Sequence, residues 1–169
     1  MVAPASADIY TEGGESASMT RIQSVVDIDA PLDVVWDILT DTSKIIKLFR
    51  DAVSVAVDPP GRSAAGQKYH LVGKAGRRRI EIFLEVTEVV PKSSVVTKQR
   101  PGGLFRSFRQ TTSLEAHGRR TRVHTVFDYE LARGYLGKAL NLVFVQRLVK
   151  DNLGSYSHTL KELSELLPL

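Results

Sequence analysis

From Thr20 onward, Ile22, Ser24, Val26 and Ile28 alternate with Gln23, Val25 and Asp27, a period-two pattern that predicts a strand. The period then lengthens. Val34, Val35, Ile38 and Leu39 recur at helical spacing around Trp36, predicting a helix that ends near Asp41. Pro31 reads as its first residue, because a fixed φ suits a helix start and the missing N–H costs nothing there. Asp33 sits in the first turn, where a negative charge favours the helix dipole. A second short helical piece is expected around Ser43 to Phe49.

The middle of the chain reads as six strands separated by turn signals. Val53 to Val57 ends at Pro59-Pro60-Gly61, and Lys68 to Val72 ends at Gly73. A basic turn at Gly76 leads into Arg79 to Val90, with Ile80, Ile82, Leu84 and Val86 on one face and Glu81, Glu85 and Thr87 on the other. Val95 to Gln99 stops at Pro101-Gly102-Gly103. Phe105 to Glu115 and Arg122 to Leu131 are joined through His117-Gly118, a hairpin turn. In the last strand Val123, Thr125, Phe127, Tyr129 and Leu131 share a face, opposite Arg122, His124, Asp128 and Glu130. One buried and one wet face is the pattern of an antiparallel sheet.

The stretch from about Gly134 to Leu166 is helical, with Tyr135, Leu142, Val145, Val149, Leu153, Tyr156, Leu160 and Leu163 as its inner stripe. Its second half is cleanly amphipathic. Its first half carries another apolar stripe: Leu136, Leu140, Val143 and Phe144. These either pack under the loops near Leu104-Phe105 and Ile45-Ile46, or form a ligand portal, dimer contact or membrane contact. The order strand, helix pair, six strands, long helix segregates sheet from helices and predicts an α+β domain.

Composition narrows the chemistry. The 169 residues are 43% hydrophobic and 25% charged, enough for one globular domain with a core of its own. Cysteine is absent, which excludes thiolate catalysis and Cys-ligated metal sites. His70, His117, His124 and His158 show no metal-ligand spacing, so no metal and no cofactor is expected. Residues 1–19, rich in Ala, Ser, Gly and Glu, read as a disordered tail without the basic start or apolar core of a secretory signal; 20–169 is the folded domain. Met19 is an alternative start. A cytoplasmic protein is the plain expectation.

The run Ile28-Asp29-Ala30-Pro31-Leu32-Asp33-Val34-Val35-Trp36-Asp37-Ile38-Leu39-Thr40-Asp41 resembles the opening of START-like (SRPBCC) proteins. That superfamily includes polyketide cyclase/dehydrase and lipid-transport proteins and birch-pollen-allergen-like proteins. With the element order, the resemblance spans Arg21 to Leu167. It implies a helix-grip fold: a seven-stranded curved antiparallel sheet wrapped around a long C-terminal helix, with two short helices after the first strand. It also implies an internal cavity for a hydrophobic guest. The superfamily has no universal catalytic residue, and none is carried over.

On this reading the ligand-facing positions are Tyr69, Leu71, Ile82 and Leu84, then Phe108, Gln110 and Thr112, then Thr125, Phe127 and Tyr129, with Leu142, Gln146 and Val149 on the helix. Gln110, Thr112, Thr125 and Tyr129 are polar where packing alone favours Leu or Val, so they pair either across strands or with a ligand oxygen. A one-residue slip in register turns Arg109 and His124 inward instead. Two functions follow. The first is a carrier or sensor of a lipid, isoprenoid or polyketide-like molecule. The second is a polyketide aromatase/cyclase using Arg109, His124, Tyr129 and Tyr69. The Arg-rich segments Arg77-Arg78-Arg79, Arg106…Arg109 and Arg119-Arg120…Arg122 read as a solvated face balanced by glutamates, or as a site for an anionic partner. A small hydrophobic ligand is the expected partner, with transient contact to an anionic membrane surface. Nucleic acid is disfavoured for want of interleaved aromatics, and a monomer or weak homodimer is expected.

Overall fold

The computed structural model describes residues 19–49, 52–75, 77–100, 105–132 and 139–166, without the side chains of 75, 78 and 139–142. Residues 1–18 of the expected tail, Leu104, the Gly134 helix start, Tyr135 and Leu136, and the side chains of Leu140 and Leu142, lie outside the described residues.

Strand β1 (Thr20–Ile28) is followed by helices α1 (Leu32–Thr40) and α2 (Thr42–Ile45) and a 3-10 turn at Ile46–Leu48. Strands β2 (Ser54–Asp58), β3 (Lys68–Ala75), β4 (Arg78–Val90), β5 (Ser94–Gln99), β6 (Phe105–His117) and β7 (Arg120–Leu131) come next. Helix α3 (Ala139–Leu166) closes the described chain. All seven strands form one antiparallel sheet in the order β1-β7-β6-β5-β4-β3-β2, the helix-grip architecture.

Several boundaries depart from expectation for local reasons. Pro31 caps α1 from outside, at φ −61° and ψ 150°, and its carbonyl accepts from the Val34 N–H at 3.0 Å. Strand β3 runs through Gly73 to Ala75, because Gly73 pairs with Ile80 in an unbroken ladder. The β6–β7 turn is Gly118-Arg119, since His117 still pairs with Arg120. Gly118 has φ +62°, which a first central residue of a type II′ hairpin requires and glycine supplies without strain.

Register decides which residues face the core. Thr112 pairs with Thr125, and Thr125 with Ser24, so these buried hydroxyls line up across three strands. Two bulges shift the alternation. One lies between Val86 and Glu88 and brings Val89 against the core. The other lies between Phe105 and Ser107 and turns Phe105 inward although Phe108 is inward too.

Helix α3 lays Val145, Val149, Leu153, Tyr156 and Leu160 on the sheet, all buried. Its C-terminal end is tied to the β1–α1 corner. The Lys161 Nζ donates to the Asp27 carbonyl at 2.6 Å, and the Asp29 N–H donates to Glu165 at 2.8 Å. The core splits accordingly. Tyr156 and Leu160 join α1 (Val35, Ile38, Leu39) and Ile28 in one cluster. Val145, Val149 and Leu153 join Ile22, Phe105, Phe127, Tyr129 and Leu131 in another, towards the N-terminal end of the helix.

Candidate functional site: an apolar cavity under the C-terminal helix

Between these clusters the interior is not filled. A cavity of about 170 Å³ lies between the sheet, the segment after the 3-10 turn and α3. Its walls are Leu71, Ile80, Ile82 and Leu84 from β3–β4, Phe105, Phe108 and Phe127 from β6–β7, Leu148 and Val149 from α3, and Leu48, Phe49 and Ala52. Its mouth is bordered by Gly73, Lys74 and Asn152. A second void of about 20 Å³ adjoins it, and Phe49, Leu84, Gln110 and Tyr156 line both. Phe49 helps partition them, its ring centroid 6.4 Å from Tyr69 and 6.0 Å from Tyr156.

Polar groups gather at this inner partition. Gln110 Nε2 donates to Thr112 Oγ1 at 3.4 Å, and Tyr69 donates from its hydroxyl to Gln67 Oε1 at 3.1 Å. Gln67 in turn is fixed by its Nε2, which donates to the Pro59 carbonyl at 2.7 Å. Burial pushes the Tyr156 phenol well above the ordinary tyrosine range; its hydrogen bonds with Thr112 and Gln110 pull the other way, and the nearby Tyr69 adds to the rise. Burial likewise raises the Tyr69 phenol. Both hydroxyls therefore keep their protons near neutral pH. The Tyr69 proton is already donated to Gln67, which leaves Tyr156 as the phenol that can hydrogen-bond a guest oxygen, and neither can serve as a general base.

The structure brings together most of the positions expected from sequence. Leu71, Ile82, Leu84, Phe108, Gln110, Phe127 and Val149 line the larger void, and Tyr69 and Thr112 the smaller. Thr125, Tyr129 and Gln146 line neither. Thr125 is buried in the hydroxyl row with Ser24 and Thr112, and Tyr129 packs edge-on to Phe105 at 5.5 Å. Gln146 is half-buried beside the inner stripe. Leu142 lies outside the described side chains.

The register slip that would turn Arg109 and His124 inward does not occur. Arg109 is exposed opposite Asp128, and the His124 ring contacts Gln23 Oε1 at 3.0 Å on the outer face. The four proposed catalytic side chains thus never meet in one cavity. The remaining histidines also find partners outside: His70 stacks on Phe83 at 4.4 Å and pairs with Glu81, while His117 and His158 lie beside Glu115 and Glu162. The described part of the second apolar stripe is not packed under loops: Val143 is 67% exposed and Phe144 52%.

Sequence reasoning missed Leu48, Phe49, Ala52, Gly73, Lys74, Ile80, Phe105, Leu148, Asn152 and Tyr156 as lining residues. Tyr156, Asn152 and Leu148 follow one another at steps of four, so extending the inner stripe to its flank finds them. Nothing in local pattern reveals the bulge that admits Phe105.

A family profile described as polyketide cyclase / dehydrase and lipid transport matches residues 19–165. No curated protein sequence matches the chain. Among solved structures, TTHA0849 of Thermus thermophilus superposes with a TM-score of 0.72 at 23% identity, covering 85% of this chain and 96% of that one. The Zhui aromatase/cyclase of Streptomyces sp. R1128 gives 0.72 at 16% identity, covering 86% and 93%. Truncated norcoclaurine synthase of Thalictrum flavum gives 0.69 at 14% identity, covering 93% and 100%. At these identities the likeness is one of fold.

Proposed function

Because the chain belongs to the polyketide cyclase / dehydrase and lipid transport family, whose fold binds hydrophobic ligands, we propose that it is a carrier or sensor that holds a small apolar molecule without transforming it. The observation that carries this reading is the void beneath α3, apolar on its walls and hydrogen-bonding at its inner end. At about 170 Å³ it is close to the roughly 150 Å³ apolar cavity that stays dry and accepts benzene. One ring, or a short branched chain, fits inside, and a longer guest extends through the mouth beside Lys74. A carbonyl or hydroxyl on the buried end would meet Tyr156 and Gln110. This pairing compensates the desolvation of both partners and selects against pure hydrocarbons.

Val149 is 6% exposed and lines the void, so Val149→Phe places a ring where the guest would sit. Binding of a fluorescent apolar probe should weaken about tenfold or more while the fold is kept. Native mass spectrometry of the protein purified from its host should show a retained small molecule. A ligand-free spectrum together with probe binding indifferent to Val149→Phe would sink the proposal.

The second reading is an aromatase/cyclase, favoured by the structural likeness to an enzyme so named. A chain of this kind would rely on shape and on hydrogen-bond donation from Tyr156, because Arg109 and His124 lie outside. Incubation with a reactive poly-β-keto thioester decides it: a product distribution altered by the wild type and restored by Tyr156→Phe supports catalysis.

A further inference from the structure

The surface beside the cavity mouth carries exposed apolar side chains. Phe144 lies one helical turn before the cavity-lining Leu148 and is 52% exposed; Val143 beside it is 67% exposed. Across the opening, Val53 follows the lining residue Ala52 and is 61% exposed. Phe144 and Val53 thus flank the opening next to lining residues, while Val143 lies about 100° further round the helix on its outer face; exposed apolar side chains beside a mouth are the arrangement of a contact surface.

Cations surround them. The β3–β4 hairpin tip at the mouth carries Lys74, Arg77 and Arg79, and Arg147 sits on α3 one turn after Val143 and Phe144. Lys74 and Arg79 are directly opposite each other in the ladder, and like charges so placed repel. Arg79 is relieved by Glu81 at 3.0 Å, and Arg147 approaches Asp151 at 3.9 Å. Among the described residues no ion pair engages Lys74 or Arg77. Elsewhere several arginines are matched: Arg21 with Asp128 at 2.6 Å, Arg106 with Glu130 at 3.0 Å, Arg122 with Asp27 at 2.8 Å. Arg109, on the outer face of the sheet, and Arg119, in the β6–β7 turn, are exposed and have no ion pair among the described residues. Lys74 and Arg77 thus leave two uncompensated positive charges on the hairpin tip beside the cavity mouth.

We propose that this end of the molecule docks on an anionic lipid bilayer, with Phe144 and Val53 entering the interface and Lys74, Arg77 and Arg147 meeting headgroup phosphates. Apolar side chains backed by cations are what a negatively charged interface binds, through buried area and electrostatic attraction together. A second copy of the chain would bring the same cations face to face. Docking in this orientation sets the cavity mouth on the membrane, so that an apolar guest passes between bilayer and protein without crossing water.

Co-sedimentation of the full chain with vesicles tests this. Binding is expected to vesicles of phosphatidylcholine mixed with phosphatidylglycerol, to fall with salt, and to be absent on phosphatidylcholine alone. Lys74→Glu with Arg77→Glu should weaken it by about thirtyfold or more, at about fivefold per lost cation. Phe144→Ser should weaken it further at unchanged thermal stability. Arg119→Glu, at the opposite end of the sheet, is the control and should leave at least most of the binding. Equal losses from Arg119→Glu would overturn the proposal in favour of diffuse attraction. So would the absence of anionic-vesicle binding, or Phe144→Ser converting a dimer to a monomer on size exclusion. Cavity probe binding unaffected by Arg77→Glu alone, at a residue that does not line the void, keeps this outcome separate from the fate of the carrier reading.

Discussion

The two ends of α3 cover the same sheet but do different work. At the C-terminal end Leu160 is fully buried against Val35, Ile38 and Leu39 of α1, and Lys161 and Glu165 tie the helix to the β1–α1 corner. At the other end Leu148 and Val149 face a void, and Val143 and Phe144 face solvent. The difference is one of layers. Helix α1 supplies a third layer only over the closed end, so side chains interdigitate there; over the open end the helix meets the sheet's concave face with little between them. A protein can concentrate its stability at one end of its core and leave space for a guest at the other.

The largest expected effect separates the two halves directly. Leu160→Ala should cost about 2–5 kcal/mol, because the α1 layer cannot collapse into the hole. Leu148→Ala, on the wall of an existing void, should cost less than about 1.5 kcal/mol, since few contacts are lost. Urea unfolding of both variants measures the contrast, and equal losses would show that the open end is packed as tightly as the closed one.

An intermediate effect lies at the boundary between them. Tyr156→Phe removes one buried hydroxyl from the Gln110–Thr112 group and should cost about 1 kcal/mol. Affinity should fall several-fold for a ketone-bearing probe, about 1 kcal/mol in free energy, and stay level for its hydrocarbon analogue. Isothermal titration with the two probes reads the difference; parallel losses would place the guest away from Tyr156.

The smallest effect concerns acid. The side-chain hydrogen bond from Lys161 holds Glu165 below the usual carboxylate range, and Arg122 does the same for Asp27. Asp37 is lowered likewise by Lys44 first and Arg62 second. A carboxylate whose folded pKa is depressed stabilises the protein above its unfolded value, near pH 4, and that contribution is lost as pH falls through the folded value. All three sit around α1 and the closed end, yet water reaches each of them and screens the interaction. Stability should therefore be flat from about pH 5 to 8 and decline modestly below about 4, with amide exchange rising first at the β1–α1 corner. A steep loss already near pH 6 would point to histidine instead.

Much of this architecture was legible in the chain. Alternation in β1, β4 and β7 set which face is buried, since a side-chain period of two leaves no other choice once one face must be dry. The same alternation in β6 and β7 put Arg109 and His124 outside, which removes two of the four acid–base candidates from the cavity. Pro31 marked the α1 start to within one residue. What misled was local irregularity. The β6 bulge carries Phe105 into the cavity against the alternation, and the Gly73 turn signal concealed a strand that continues to the basic tip.

The sequence alone determined the α+β class, the strand order along the chain, the inner stripe of α3 and part of the cavity lining beneath it, because these follow from periodicity and burial acting over a few residues. Only the tertiary structure decided that α1 covers one end and not the other. That single asymmetry produced a void, set Tyr156 and Gln110 at its inner end, and left Phe144 in the open. Distances between segments far apart in the chain are a matter of packing geometry, and no local pattern encodes them.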